Sequence, residues 1–444
     1  MHAPTTDTPT ATPPTSTDLI DLEVRHRLPG AQTMTDLAGL VLDRADNADV
    51  WDHDGNRYLD LFTGVGVCNI GHSHPRFLRQ VSEQLGRLAV GTFHTERRSR
   101  LYELLAAQLP EQLRELHLFS TGSEAVEAAV KLARAATGKQ DVVSFWGGFH
   151  GKTQGALSLH GGPRRQGAGP FPPGAHHVPY AYCYRCPLAL AHPGCDYRCV
   201  SVAEQSIRNG VSDGVAAIIV EAVQGTNGNI VPPRGYLHEL RALADRLGAL
   251  LVLDEVITGF GRTGELFAFQ HENVLPDVLV LGKAMGSGVP VSAIVSRSDL
   301  VAGTSFATPS AAASTFGGNP LASAAALTTL QVLLEEGLVD RARALGATVA
   351  ERVRGWSRRF PVVGNADGLG LMVGVELVEP GTTTPLARRH TRAVFRSLLD
   401  RGVLAMAYDS RIRVYPPLTI PENRLDDGLT AFEDTFRELS DRLT

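Results

Sequence analysis

VAAIIVEAVQGTNGNIVPPRGYLHELRALADRLGALLVLDEV, residues 215–256, decides the fold. Val215–Val220 is an unbroken apolar run, the pattern of a strand buried on both faces. Tyr236–Leu247 reads as a helix and Leu250–Leu253 as a second buried strand. Strand, helix, strand is the parallel βαβ unit. The pattern repeats outward. Upstream lie a strand at Leu116–Phe119, a helix at Ser123–Ala136 with Val126, Ala129, Val130 and Ala133 at helical spacing, and a strand at Val142–Phe145. Downstream, Val278–Leu281 and Ala293–Val295 complete the set. The expected class is α/β, a mostly parallel central sheet flanked by helices. Such sheets bind ligands beyond the carboxyl ends of their strands.

The flanks differ from this core. Val50–Leu61 reads as two short strands around the turn Asp54-Gly55-Asn56. Helices near Arg341–Phe360 and Thr391–Arg401, the run Gly370–Leu377, two short strands and a closing helix from about Glu422 read as a smaller α+β domain. Residues 1–18 are rich in Thr, Pro and Ala and lack the large apolar groups that offset chain entropy, so a disordered tail is expected. The expected division is that tail, a segment 19–75 joining the small domain, a large domain 76–325 and a C-terminal small domain 326–444. A net charge of −5 provides no basic stripe for nucleic acid. No apolar window reaches the length of a membrane span and no secretory signal stands at the N-terminus, so a cytoplasmic location is expected.

Chemistry-bearing residues stand at the strand ends. Thr121-Gly122-Ser123 follows a strand and opens a helix, with Thr121 and Glu124 at capping-box spacing. Free N–H groups and the helix dipole favour an anion there, although an ordinary N-cap has the same sequence. Asp254 ends a strongly apolar strand, where a carboxylate needs a partner: a protonated ring nitrogen, a metal or a structural contact. Lys283, in LGKAMG, follows another apolar strand among small residues. An amine so placed loses its proton more easily and forms Schiff bases; a solvated lysine is the plain alternative. Phe149-His150-Gly151 offers an aromatic face to a flat ring, or merely a core side chain. Ser314-Thr315 puts two hydroxyls before a Gly pair and a helix start, as a phosphate contact or a turn.

In this order along one chain, these motifs resemble the class III aminotransferases, pyridoxal 5'-phosphate (PLP) enzymes of fold type I. The resemblance runs from about Val50 to Leu418. It includes VWDHDGNRYLDL (50–61), GHSHP (71–75), STGSEAVEAAVKLAR (120–134), LVLDEVITGFGRTG (251–264), LGKAMGSG (281–288), STFGGNP (314–320) and PPLTI (416–420). It implies that Lys283 bonds PLP and later shuttles the substrate proton. Asp254 would pair with the pyridinium nitrogen and keep it protonated. Thr121, Gly122 and Ser123 would hold the phosphate, helped by Thr315 from the other subunit of a homodimer. Phe149 and Val256 would pack the two ring faces, with His150 completing the cofactor set. The implied reaction moves an amino group from an amino acid or amine to a 2-oxo acid, pyruvate or 2-oxoglutarate, by ping-pong exchange through the pyridoxamine form. Racemisation, epimerisation or decarboxylation on the same frame is the alternative, and a non-catalytic PLP-binding protein a third.

Departures from the family pattern bear on substrate. Ile257 stands where Gln often reaches the cofactor hydroxyl, and Ala222 stands for a common Pro. Thr226 replaces a Glu that, in many ω-amino-acid members, masks a carboxylate-binding arginine. Arg413, in IRVYPPLTI, lies where that arginine belongs. It is expected to be unmasked and to bind an α-carboxylate, the plain alternative being a surface strand arginine. Lys152 stands where Arg is frequent and could touch a distal carboxylate as a point charge, or be solvated. Val65 replaces the Tyr of ornithine-type members. These four residues form the expected substrate set, and they weaken the usual ornithine, acetylornithine and 4-aminobutyrate assignments.

Cys183, Cys186, Cys195 and Cys199 form C-x2-C, eight residues, then C-x3-C. In a reducing compartment this spacing suits tetrahedral zinc or an iron–sulfur cluster, or else a set of reduced structural thiols.

Overall fold

Seven strands build the central sheet, in the spatial order Leu113–Phe119, Ser292–Arg297, Val278–Leu281, Leu250–Asp254, Val215–Glu221, Asp141–Phe145, Ala175–Val178. The computed structural model describes residues 14–30 and 33–444. The last five strands in that order pair in parallel. Every residue of Val215–Glu221 is buried, which is why its sequence shows no polar alternation. Successive side chains still serve opposite faces. Ile219 packs into the cluster of Val126, Ala129 and Ala133 from the helix Gly122–Thr137. Ile218 and Val220 pack with Leu237, Leu240 and Leu243 from the helix Tyr236–Leu247.

Ser292–Arg297 departs from the expected parallel set, because it runs antiparallel to both neighbours. The connection 282–291 that precedes it is shorter than the roughly dozen residues a parallel crossover needs. Two reversals restore direction, so Leu113–Phe119 points the same way as the parallel strands. The carboxyl ends at Phe119, Phe145, Glu221, Asp254 and Leu281 therefore share one edge of the sheet. The edge strand Ala175–Val178 escapes the sequence reading; two of its four residues are histidines.

Around this core, Asp49–Asp52 and Arg57–Asp60 form the expected hairpin, with Val50 opposite Tyr58. Leu42–Asp46 extends it on one side, and Val403–Leu404 joins in parallel on the other. Val363–Leu369, Met372–Leu377 and Arg411–Val414 make a separate antiparallel sheet. The helix expected near 341–360 is two, Leu338–Arg354 and Trp356–Arg359, parted at Gly355. The buried Arg262 guanidinium ties the units together by donating to Asn69 Oδ1 and to the carbonyls of Leu371 and Pro416. Of the expected tail, residues 1–13 lie outside the described residues. A helix, Ser16–His26, begins inside the remainder, because Thr15 and Asp18 cap it reciprocally. Among the described residues, no helix is long and apolar enough to cross a membrane.

Candidate functional site

The shared sheet edge delivers side chains from five strands to one cavity of about 200 Å³. At the first strand end, Thr121 Oγ1 accepts from the Glu124 amide, and the Glu124 carboxylate accepts from the amides of Ser120 and Thr121 at 2.9 and 2.8 Å. The expected capping box is present. It leaves the amides of Gly122 and Ser123 without a partner among the described residues, facing the cavity as an anion cradle. The cradle is tight. A Cβ on Gly122 would lie 3.2 Å from Val256, and one on Gly151 would collide with Ser123 Oγ and approach Ala156 to 2.9 Å.

Asp254 is 4% exposed. Its Oδ2 lies 2.7 Å from His150 Nδ1, and its Oδ1 accepts from the Val256 amide at 3.1 Å. Burial alone would strip His150 of its proton, but the Asp254 hydrogen bond and the charges of Asp254 and Glu221 raise its pKa above the ordinary value. His150 thus fixes the orientation of the carboxylate. Glu221 is the residue that sequence reasoning misses; the available signal is a carboxylate closing six apolar residues. Its two oxygens accept from the amides of Phe149 and Gly225, both at 2.9 Å, which pins two loops of the cavity wall. Burial pushes its pKa up to about 7 despite the nearby His150.

Lys283 follows Val278–Leu281 with a φ of +44°. A non-glycine residue in the left-handed region costs about 1–2 kcal/mol, so the surrounding packing must impose it. Burial lowers the pKa of its amine; Asp254 and Glu221 oppose the shift and Arg413 assists it. An amine that readily sheds its proton is a nucleophile and a base. Phe149 and Val256 line the same cavity, with the Phe149 ring edge-on to His160 at 5.7 Å.

Thr226 also lines the cavity. Arg413 is 2% exposed, which rules out a surface strand arginine. Its Nη2 donates to Tyr408 OH at 2.6 Å, its Nε has no partner, and no carboxylate pairs with it among the described residues. Burial works against its charge, but Tyr415, Tyr408 and Asp409 more than offset that. Val65, at φ +70°, joins an apolar cluster with Ile257, Met406 and Tyr415. Four expected residues lie outside the cavity wall: Arg413, Val65 and two that are exposed. Lys152 is exposed and outside the cavity wall, with only its amide reaching Ser123 Oγ at 3.3 Å. Thr315 is likewise exposed and outside the wall.

The four cysteines line a separate void of about 20 Å³. Among the described residues, no group of three or more His, Cys, Asp or Glu side chains is arranged to hold a metal ion. Burial and the neighbouring thiols push Cys183 up, and burial takes Cys199 to about 11. The zinc or iron–sulfur expectation finds no support in the arrangement of these side chains.

An anion cradle, an apolar slot between Phe149 and Val256, a buried carboxylate and a proton-shedding amine match the phosphate, ring faces, ring nitrogen and aldehyde of PLP. When bound, PLP supplies an electron sink for charge developing at the substrate carbon. The family model Aminotransferase class-III matches residues 31–436. 5-Aminovalerate aminotransferase DavT of Pseudomonas aeruginosa is 36% identical over 90% of this chain and 94% of its own. Leucine/methionine racemase of Thermococcus litoralis is 34% identical, covering 91% and 92%. The crystal structure of an (S)-enantioselective omega-transaminase from Thermomicrobium roseum superposes with a TM-score of 0.88 at 32% identity, covering 96% and 99%. The chain belongs to the class III aminotransferases and is a PLP-dependent enzyme that transfers amino groups.

Proposed function

We propose that the amino donor is an α-amino acid whose carboxylate is read by Arg413, and that the acceptor is a 2-oxo acid held in the same way. One observation carries this reading: a buried guanidinium whose charge is felt at Lys283 has no carboxylate partner of its own among the described residues. Thr226, too short and uncharged to mask it, leaves the fork free in both halves of a ping-pong exchange. In this reading Lys283 would hold the cofactor, and its amine would take the proton from the substrate Cα and return it. Asp254, oriented by His150, holds the ring nitrogen's proton. Gly122 and Ser123 hold the phosphate through their amides, and Glu221 positions the loop that carries Phe149. Thr315 completes the phosphate site from a second copy, making the enzyme a cytoplasmic homodimer with shared sites. The parallel pairing of Arg57–Asp60 with Val403–Leu404 supports assigning 19–75 to the small domain beside 326–444, with 76–325 as the large domain.

Donor profiling tests the reading. Holoenzyme is mixed with L-norvaline, butylamine or 4-aminobutyrate, and single turnover is followed by the cofactor's visible absorbance. L-Norvaline is expected to react fastest. Butylamine reacting as fast would overturn the role of Arg413. Loss of optical activity without any added 2-oxo acid would favour the racemase reading instead.

A further inference from the structure

A larger cavity of about 780 Å³ adjoins the cofactor cavity, and Thr226 belongs to the walls of both. Its volume falls in the range of roughly 300–1,000 Å³ typical of small-molecule sites. Its wall carries Arg164, Arg185, Arg388, Arg392 and Arg411 against one carboxylate, Asp409. Two of these arginines are neutralised from behind. Arg185 pairs with Glu376, while Arg411 donates to Asn227 and lies 3.9 Å from the same Glu376. The other three are not. Arg164, Arg388 and Arg392 are exposed to the cavity, and their side chains make no hydrogen bond or ion pair among the described residues. Arg388 and Arg392 stand one turn apart on the helix Arg388–Asp400. Like charges at that spacing repel, so an anion placed between them relieves the helix. Asp409 already accepts from the Arg411 amide at 2.8 Å and cannot balance three cations. A cleft lined by one sign of charge concentrates ions of the other, and guanidinium forks suit carboxylate and phosphate oxygens.

We infer that this mouth is a subsite for a distal anion, a carboxylate or a phosphate, on the side chain of the substrate. Arg388 and Arg392 grip the anion and Arg164 closes on it, while the reacting amine lies at Lys283. The inference rests on the α-amino-acid reading above and narrows it to donors with a side chain long enough to leave the cofactor cavity past Thr226. It also places the distal contact on the helix Arg388–Asp400 rather than on Lys152, which lines neither cavity.

The test compares holoenzyme with the double variant R388Q/R392Q. Single-turnover kcat/KM is measured for L-2-aminoadipate, L-2-amino-5-phosphonopentanoate and the uncharged L-norleucine. In the wild type, at least one anionic donor is expected to exceed norleucine by about tenfold or more, as charge-assisted bonds to two guanidinium groups would give. In the double variant that ratio falls toward one. The better of the two anionic donors tells carboxylate from phosphate. A second readout is equilibrium stabilisation: adipate raises the Tm of wild-type holoenzyme more than hexanoate does, and the difference disappears in the double variant. No preference in the wild type, or a preference that survives in the variant, overturns the subsite. The latter is also the result if an acidic segment of a second copy occupies the mouth. If none of the three donors reacts with the wild type, the α-amino-acid reading falls and takes the subsite with it.

Discussion

Arg413→Ala separates a substrate-binding arginine from a structural one. The guanidinium is 2% exposed and makes one side-chain hydrogen bond, to Tyr408. Its stake in the free protein is therefore small, while its stake in a bound carboxylate is large. Two parallel charge-assisted bonds in a buried site, lost together, cost about 3 kcal/mol. That is on the order of a 150-fold fall in kcat/KM for L-norvaline. Butylamine, which lacks the carboxylate, loses far less. Arg413→Lys keeps the charge but not the fork, and a loss of about tenfold is expected. A second consequence concerns Lys283. The positive charge of Arg413 helps to depress its amine pKa, so Arg413→Ala lets Lys283 hold its proton to higher pH. The rate at which apoprotein recaptures PLP, which needs the neutral amine, then rises at higher pH than in the wild type. Arg413→Lys leaves that profile in place. The assays are single-turnover kinetics for the two donors and a pH series of PLP recapture. Equal losses for L-norvaline and butylamine would refute the carboxylate role, and an unshifted recapture profile would refute the electrostatic one.

Three further outcomes are expected. Thr226→Glu places a carboxylate where ω-amino-acid members carry their mask; KM for L-norvaline should rise about tenfold, with a smaller change for butylamine, and no change would refute the pairing of that position with Arg413. Gly151→Ala forces a Cβ into Ser123 at a φ of +136°, so about 3 kcal/mol of stability or a comparable loss of PLP affinity is expected from denaturant unfolding and PLP titration. Glu433 is buried, which works against its charge, yet hydrogen bonds from Arg359, Arg352 and Trp356 hold it at about 2 against an ordinary 4.5. Its contribution is complete above pH 4.5 and is lost as pH falls toward 2. Glu433→Gln should therefore cost about 2 kcal/mol at neutral pH and progressively less in acid, and a cost independent of pH would refute the assignment.

The sequence made the cofactor side of the site legible because its signals are local. An apolar run, a polar residue at its end and a glycine or helix cap beyond it are neighbours in the chain, and Thr121, Asp254 and Lys283 each stand at such a junction. Parallel strands then bring those junctions together without further information. Strand direction was less legible. Ala293–Val295 has the same composition as its parallel neighbours, and only the short connection before it forces the reversal. Glu221 was hidden for a different reason: its partners are backbone amides of other loops, which no side-chain pattern announces. The arginine mouth draws on loops and helices from both ends of the chain, so periodicity could not assemble it. The cysteine spacing has no counterpart in space, because spacing along the chain does not fix how side chains converge, and among the described residues no group of three or more ligand side chains does so.

Asp254 shows how these levels combine. One oxygen faces His150 and the other the Val256 amide, so the carboxylate is held against rotation. Burial of such a charge is tolerable only with cations nearby. In the free protein His150 and Lys283 supply them. A Lys283 amine without its proton supplies no such charge. Were PLP bound, Asp254 would be the group to hold a proton on its ring nitrogen, which would restore the balance. The Asp254 charge that opposes the fall of the Lys283 pKa would equally favour a protonated ring. Asp254→Asn should separate the two, leaving a Lys283 amine that sheds its proton more readily than in the wild type but a ring that no longer keeps its own.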